Sequence, residues 1–313
     1  MMLRHRRDGL RVCALGAALF SGSGTLGGCG AGDTLPATMD MAAVDPGPSN
    51  PLVAARPYEA KVPSNYNPKT PTPLVVLLHG YGASGVVQDI YFGIGEVVDR
   101  LGFLYAYPDG TVNAEGKHFW NANEVCCDFG KSGVDDVAYI DAVISDMRAH
   151  YNVDPRRIYL VGHSNGAYMS HRYACDRAGT VAAIVALAGT TPKDSTRCKP
   201  SEPVAVLQVH GDMDDAVPYN GGPAVPSAEE TTQVWAMKDG CQTTADRSAP
   251  PMNLESNVPG EETAVVRYPG CRPGGAAELW TIRMGSHTPN FIRPLWAEKV
   301  WDWFATHPKP GSP

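Results

Sequence analysis

The chain has 313 residues, a hydrophobic content of 43% and a formal net charge of −7. That length suits one large domain or two small ones, and the apolar content is ample for a buried core. Arg4, Arg6, Arg7 and Arg11 cluster at the start, so the remainder is more acidic still; an acidic body lacks the positive patch that nucleic acid requires.

The N-terminus reads as a targeting segment. Basic residues precede a short apolar stretch, 12–20, too short to span a bilayer as a stable helix. Leu26-Gly27-Gly28-Cys29 then resembles a bacterial lipobox, in which the cysteine is lipidated and becomes the new N-terminus. Residues 1–29 are therefore expected to be a signal peptide ending at Cys29, whose lipid is the one expected membrane attachment. An ordinary cleaved signal would equally imply export. Residues 30–55 are rich in Gly, Ala and Pro without apolar periodicity and read as a flexible tether. The catalytic domain is expected over 56–313.

Within that domain, residues 74–78, 103–107, 158–161, 182–187 and 204–209 are unbroken apolar runs. Runs without alternation suit strands covered on both faces, as in a parallel sheet. Helical patterns fall over 94–101, 136–151, 167–176, 228–237 and 295–304, with Gly102 placed to stop the first and Asp135 or Asp136 to cap the second. The alternation predicts a three-layer α/β fold, a mostly parallel central sheet with helices on both faces, and chemistry at the strand C-termini. Residues 108–134 and 248–262 read as long loops.

Gly162-His163-Ser164-Asn165-Gly166 lies between an apolar strand and a helical stretch. Gly-x-Ser-x-Gly in that setting is a nucleophile elbow, a turn so tight that glycine is the residue that fits on either side of the serine. A serine hydroxyl needs a base, and the base needs a carboxylate to fix its tautomer. His287, in Met284-Gly285-Ser286-His287-Thr288-Pro289, follows strand-like residues 279–283 and is read as the base. His163 reads as a local packing residue, His79 as a structural hydrogen-bonding one, and His150, His171 and His307 as surface groups. The acid lies in the segment after the run at 204–209, where Asp212, Asp214 and Asp215 compete; Asp214 is chosen, with Asp212 next. The backbone N–H groups of Asn165 and of Tyr81, in His79-Gly80-Tyr81-Gly82, are the expected oxyanion donors. Trp120 and Tyr219 are candidates for substrate contact.

Beyond Cys13 and Cys29, six cysteines remain: Cys126, Cys127, Cys175, Cys198, Cys241 and Cys271. An even number in an exported protein reads as three disulfides. Cys241 with Cys271 is the one pairing selected, because both sit near strand-like segments; the others stay open. The adjacent Cys126-Cys127 lacks the gap that lets two thiolates converge on zinc, and no metal or cofactor is expected.

Leu78 to Gly82, Trp120-Asn121-Ala122 with Cys126-Cys127, Val134 to Val137, Gly162 to Gly166 and His210 to Tyr219 together resemble the secreted polyhydroxyalkanoate depolymerase and feruloyl esterase-like branch of the α/β-hydrolases. The resemblance implies Ser164, Asp214 and His287 as triad, with Asp214 placed by His-Gly-x-x-Asp-x-x-Val-Pro-Tyr. It implies cleavage of polyester, feruloyl or acetyl esters outside the cytoplasm. The sequence departs from many relatives at Gly285 to Asn290, where a tryptophan-proline pair usually follows the histidine. The expected protein is an exported serine esterase acting on an ester substrate, polymeric ones included, with no obligate protein partner. A serine peptidase of the same fold and a non-catalytic glycan-binding lipoprotein are the alternatives.

Overall fold

A computed structural model of the protein describes residues 50–311. The expected signal segment, Cys29 and the tether up to residue 49 lie outside the described residues. Residues 51–55, expected to end the tether, instead form a helix, α1 (Pro51–Ala55). Proline at a first helical position brings a suitable φ and lacks only an N–H that would have no helical partner. The Asn50 side chain accepts from the Leu52 N–H at 3.0 Å, and Val53 packs into the core. Proline content suggested a linker where proline begins a helix.

The strands are β1 (Tyr58–Lys61), β2 (Thr72–Leu78), β3 (Leu104–Pro108), β4 (Thr111–Val112), β5 (His118–Phe119), β6 (Val153–His163), β7 (Ala183–Leu187), β8 (Ala205–Gly211), β9 (Thr263–Tyr268) and β10 (Ala276–Ile282). The remaining helices are α2 (Gly85–Phe92), α3 (Ile94–Leu101), α4 (Asp136–His150), α5 (Asn165–Asp176), α6 (Ala228–Lys238) and α7 (Leu295–Thr306). Eight strands make one sheet in the order β1-β3-β2-β6-β7-β8-β10-β9. The six central strands are parallel, while β1 and β9 run antiparallel at the edges. The mostly parallel α/β sheet read from the sequence is the fold the chain adopts. The small β4–β5 pair lies inside the stretch expected to be a loop.

Alternation along β2 explains the unbroken apolar runs. Leu74, Val76 and Leu78 enter a core shared with Ile140, Met169 and Trp235 of α4, α5 and α6. Val75 and Leu77 enter a second core with Val97 of α3 and Trp296 and Phe304 of α7. Both faces are covered, so neither face of the strand shows a polar stripe. Because the central strands are parallel, the loops after β2, β6, β8 and β10 all emerge at one edge of the sheet. Those four loops carry Tyr81, Ser164, Asp214 and His287.

Three disulfides join Cys126 to Cys127, Cys175 to Cys198 and Cys241 to Cys271. The last is the pairing selected from the sequence, and it holds the end of α6 against the turn after β9.

Just before it, Asp239 caps α6 in full burial. One carboxylate oxygen accepts from the Val204 N–H at 3.1 Å, and the other has no partner among the described residues. Burial pushes its pKa up to about 7, against the weaker pull of the backbone donors. An unfolded chain ionises near 4, so between those values unfolding releases a proton that the folded state keeps. Wild-type stability therefore falls as pH rises through this window. Asp239→Asn has no proton to lose, so its stability relative to wild type should rise between about pH 4 and about pH 7, by a few kcal/mol at most. Urea unfolding at both pH values checks this; a stability difference independent of pH would refute it.

Candidate active site

Ser164 sits between β6 and α5 with φ 53° and ψ −117°, a conformation that side chains rarely adopt and that costs on the order of 1–3 kcal/mol. The surroundings hold it there. A Cβ on Gly162 would lie 2.2 Å from the Gly166 carbonyl oxygen, and one on Gly166 would lie 2.0 Å from that of Leu78. The Ser164 N–H donates to Leu187 O at 2.8 Å, while its own carbonyl accepts from Ala167 and Tyr168 at 2.9 and 3.0 Å. From Ile158 to His171, Ser164 is the one residue that is not buried. The elbow thus lifts a single side chain out of a packed core.

The loops after β8 and β10 are zipped together. Met213 N–H donates to Gly285 O at 2.9 Å, Asp212 N–H to Ile282 O at 3.0 Å, and Met284 N–H to an Asp212 carboxylate oxygen at 2.6 Å. A Cβ on Gly211 would meet Gly285 O at 2.2 Å, so only glycine lets the two backbones touch. This contact brings His287 Nδ1 to 2.8 Å from Asp214 Oδ2, although 73 residues separate them. Asp215 is exposed and Asp212 braces the neighbouring loop, which leaves Asp214 as the carboxylate that meets the histidine.

Asp214 collects several donors. Ala216 N–H and Val217 N–H reach Oδ1 at 2.9 and 2.8 Å, and His210 Nε2 lies 3.2 Å from Oδ2. Burial disfavours the charge, but the hydrogen bonds from His210, His287 and Val217 outweigh it and hold the carboxyl well below the usual range. Asp214 is therefore ionised at neutral pH.

His287 and Ser164 are not hydrogen-bonded to each other, a common condition in unliganded sites. They are held near one another through the elbow's own histidine. His163 Nε2 donates to the His287 carbonyl oxygen at 2.9 Å, and the two rings lie 5.0 Å apart. Burial lowers the His163 pKa to about 4, so the ring is neutral in this role. The sequence reading gave His163 only local packing; its contact with a loop 124 residues away carries no local signal.

Asn165 directly follows Ser164, and a Cβ on Gly80, the residue before Tyr81, would lie 3.6 Å from Ser164 Cβ; neither the Tyr81 nor the Asn165 backbone N–H bonds another backbone group among the described residues. The Tyr81 loop is pinned by buried His79, whose Nδ1 donates to Gly80 O at 2.8 Å and whose Nε2 accepts from Gly110 N–H at 2.8 Å. Burial lowers the His79 pKa to about 4 and keeps Nε2 free to accept. The Asn165 side chain clamps the start of α5 to the Trp120 backbone, accepting from its N–H at 2.7 Å and donating to its carbonyl at 2.8 Å.

Trp120 requires correction as a substrate contact. Trp120 is fully buried, stacks on Tyr139, packs at a tilt against His79, and donates its indole N–H to His79 O at 3.1 Å. A side chain without accessible surface cannot receive a sugar or acyl group. Tyr219 turns towards α6 and β10, with its hydroxyl 2.8 Å from Thr281 Oγ1. Beside α5, a cleft of about 750 Å³ opens along the 121–133 segment, lined by Asn121, Asn123, Phe129, Tyr168, Arg172 and Arg197 among others. Its volume suits a drug-sized ligand.

A family model described as phospholipase/carboxylesterase matches residues 131–245. Probable feruloyl esterase C of Aspergillus clavatus is 31% identical over 207 residues, covering 65% of this chain and 68% of the relative. Feruloyl esterase B of Piromyces equi is 28% identical over 239 residues, covering 72% of this chain but 41% of that longer protein. The chain thus spans less than half the length of the latter. The solved acetyl xylan esterase from Aspergillus awamori superposes with a TM-score of 0.56 at 17% identity, covering 79% of this chain and 92% of the other, a likeness of fold. Sheet order, elbow and sequence similarity agree, and the chain belongs to the α/β-hydrolase-fold esterases related to feruloyl esterases.

Proposed function

We propose that the protein is a serine esterase that hydrolyses carboxylic esters through Ser164, His287 and Asp214. The observation that carries this reading is the half-buried, strained Ser164, next to His163, whose ring bonds the loop of a histidine whose Nδ1 is held by a buried, ionised carboxylate. With Nδ1–H committed to Asp214, Nε2 is left unprotonated to take the serine proton. Ser164 Oγ attacks the ester carbonyl as His287 Nε2 accepts that proton. The N–H groups of Tyr81 and Asn165 receive the oxyanion, a term worth about 10²–10³ in rate for a single donor. The tetrahedral intermediate collapses, His287 returns the proton to the leaving alcohol, and an acyl-enzyme remains. Water, deprotonated by His287, then releases the acid and restores Ser164.

The substrate class we favour is an acyl ester of the feruloyl or acetyl type, including esters on polymers. The names of the relatives support that choice. Export with a lipid on Cys29 belongs to the same proposal; three disulfides and the basic-apolar N-terminus support it.

An active-site-directed fluorophosphonate should modify the folded, oxidised protein at Ser164, identified by peptide mass spectrometry. Short p-nitrophenyl esters, methyl ferulate and acetylated xylan should be turned over much faster than peptide anilides. Labelling at another serine, or ester turnover that survives Ser164→Ala, would overturn the assignment.

A further inference from the structure

We propose that Trp235, His171, Gln208 and His210 form a one-way hydrogen-bond relay through the core that ends on Asp214, and that His210 is a positioning residue for the acid. The role in catalysis rests on the reading of Asp214 given above; the relay itself does not. All four side chains are fully buried, on α5, α6 and β8, among the apolar residues of one face of the sheet. Most buried polar groups are paired, because an unpaired one loses its hydration without replacement. Here the pairing has a direction that can be worked out atom by atom.

The indole N–H of Trp235 can only donate, and it lies 3.0 Å from His171 Nδ1. His171 Nδ1 is therefore bare, its proton sits on Nε2, and Nε2 donates to Gln208 Oε1 at 3.0 Å. The Gln208 amide is oriented independently, because its Nε2 donates to Gly189 O at 2.8 Å, and a carbonyl can only accept. Its second amide proton points at His210 Nδ1, 3.2 Å away, which must then accept. The His210 proton is left on Nε2, facing Val217 O at 2.9 Å and Asp214 Oδ2 at 3.2 Å, both of which can only accept. Groups of fixed polarity at the start, middle and end of the chain demand the same pair of tautomers. Reversing any member would set two donors or two acceptors against each other. Burial lowers the His171 pKa to about 4, in keeping with a neutral ring.

The consequence falls on the carboxylate. Asp214 Oδ2 receives His210 from one side and His287 from the other, while His210 also fastens the acid loop through Val217 O. Without His210 the carboxylate keeps its backbone donors but loses the group that fixes Oδ2 towards His287. The sequence reading placed His171 on the surface; its burial between Trp235 and Gln208 corrects that.

Nitrogen-15 NMR of histidine-labelled wild-type protein tests the relay directly. In their neutral form, recorded at about pH 8, above the range in which free histidine titrates, His171 and His210 should both carry the proton on Nε2, with bare Nδ1. A proton on Nδ1 of either ring would overturn the relay, whatever the enzyme's activity. Kinetics test the positioning role. His210→Leu should lower kcat about 10- to 10²-fold, the worth of one hydrogen bond to a charged group, with KM little changed. His210→Gln keeps an N–H near the Nε2 position and should recover most of that loss. Wild-type kcat in the leucine variant, or equal loss in both, would remove His210 from the positioning role. If Asp214→Asn proves fully active instead, the proposed function fails, and the tautomer spectrum still decides the relay.

Discussion

Asp214→Asn is expected to hydrolyse esters about 10⁴-fold more slowly than wild type at neutral pH, with KM little changed. The amide would keep one oxygen for the Ala216 and Val217 N–H groups, which lie 2.9 and 2.8 Å from Oδ1. Its NH2 would then occupy the Oδ2 position, facing His210 Nε2 and His287 Nδ1. Two donors would point at each other unless His287 turned its Nδ1 into an acceptor. That tautomer places the proton on Nε2, where the ring cannot deprotonate Ser164. The neighbouring acids give the contrast. Asp212→Asn retains an acceptor oxygen for the Met284 N–H, and Asp215 is exposed, so each amide variant should stay within a few-fold of wild type, surface changes being worth about 0.5 kcal/mol or less. Steady-state kinetics on a p-nitrophenyl ester separate the three. A larger loss at Asp212 than at Asp214 would move the acid and dismantle the proposed mechanism.

The features legible in the sequence are those whose cause is local. An elbow needs glycine within two residues of the serine, so Gly162 and Gly166 announce it. Strands covered on both faces need unbroken apolar runs, and β2, β3, β6, β7 and β8 were found that way. The edge strand β1 was not, because Tyr58–Lys61 is mostly exposed and reads as polar. Helix α2 was hidden by an inverted pattern: it buries Gly85, Gln88 and Phe92 while Val86, Val87 and Ile90 face outward. Trp120 misled for a related reason. An aromatic residue in a long irregular stretch suggests a binding role by type, but its partners His79, Tyr139 and Asn165 come from other elements, and only folding brings them together. His163, which ties the elbow to the His287 loop, is likewise defined by a contact 124 residues away that has no periodic or local signature.

Gly166→Ala is expected to damage both stability and activity although the backbone conformation permits alanine. Residue 166 lies in the first turn of α5 with an ordinary helical φ, and on propensity alone alanine would stabilise by about 1 kcal/mol. Space decides otherwise. The added Cβ would sit 2.0 Å from Leu78 O and 2.7 Å from His79 O, both backbone atoms at the end of β2 with no side-chain freedom to yield. Overpacking of this kind costs about 1–3 kcal/mol or more, which exceeds the helical gain. Relief requires α5 to move away from the His79–Gly82 loop, and that motion separates the N–H of Asn165 from the N–H of Tyr81. If those groups form the oxyanion site, kcat should fall by at least about 10²-fold, the value of one misplaced donor. Gly179→Ala is the control, since a Cβ there meets nothing within 4 Å, and it should leave Tm and kcat unchanged. A Gly166→Ala protein with reduced Tm but wild-type kcat would mean that the two N–H groups do not act together on the reacting carbonyl, and one of them would have to be replaced in the mechanism.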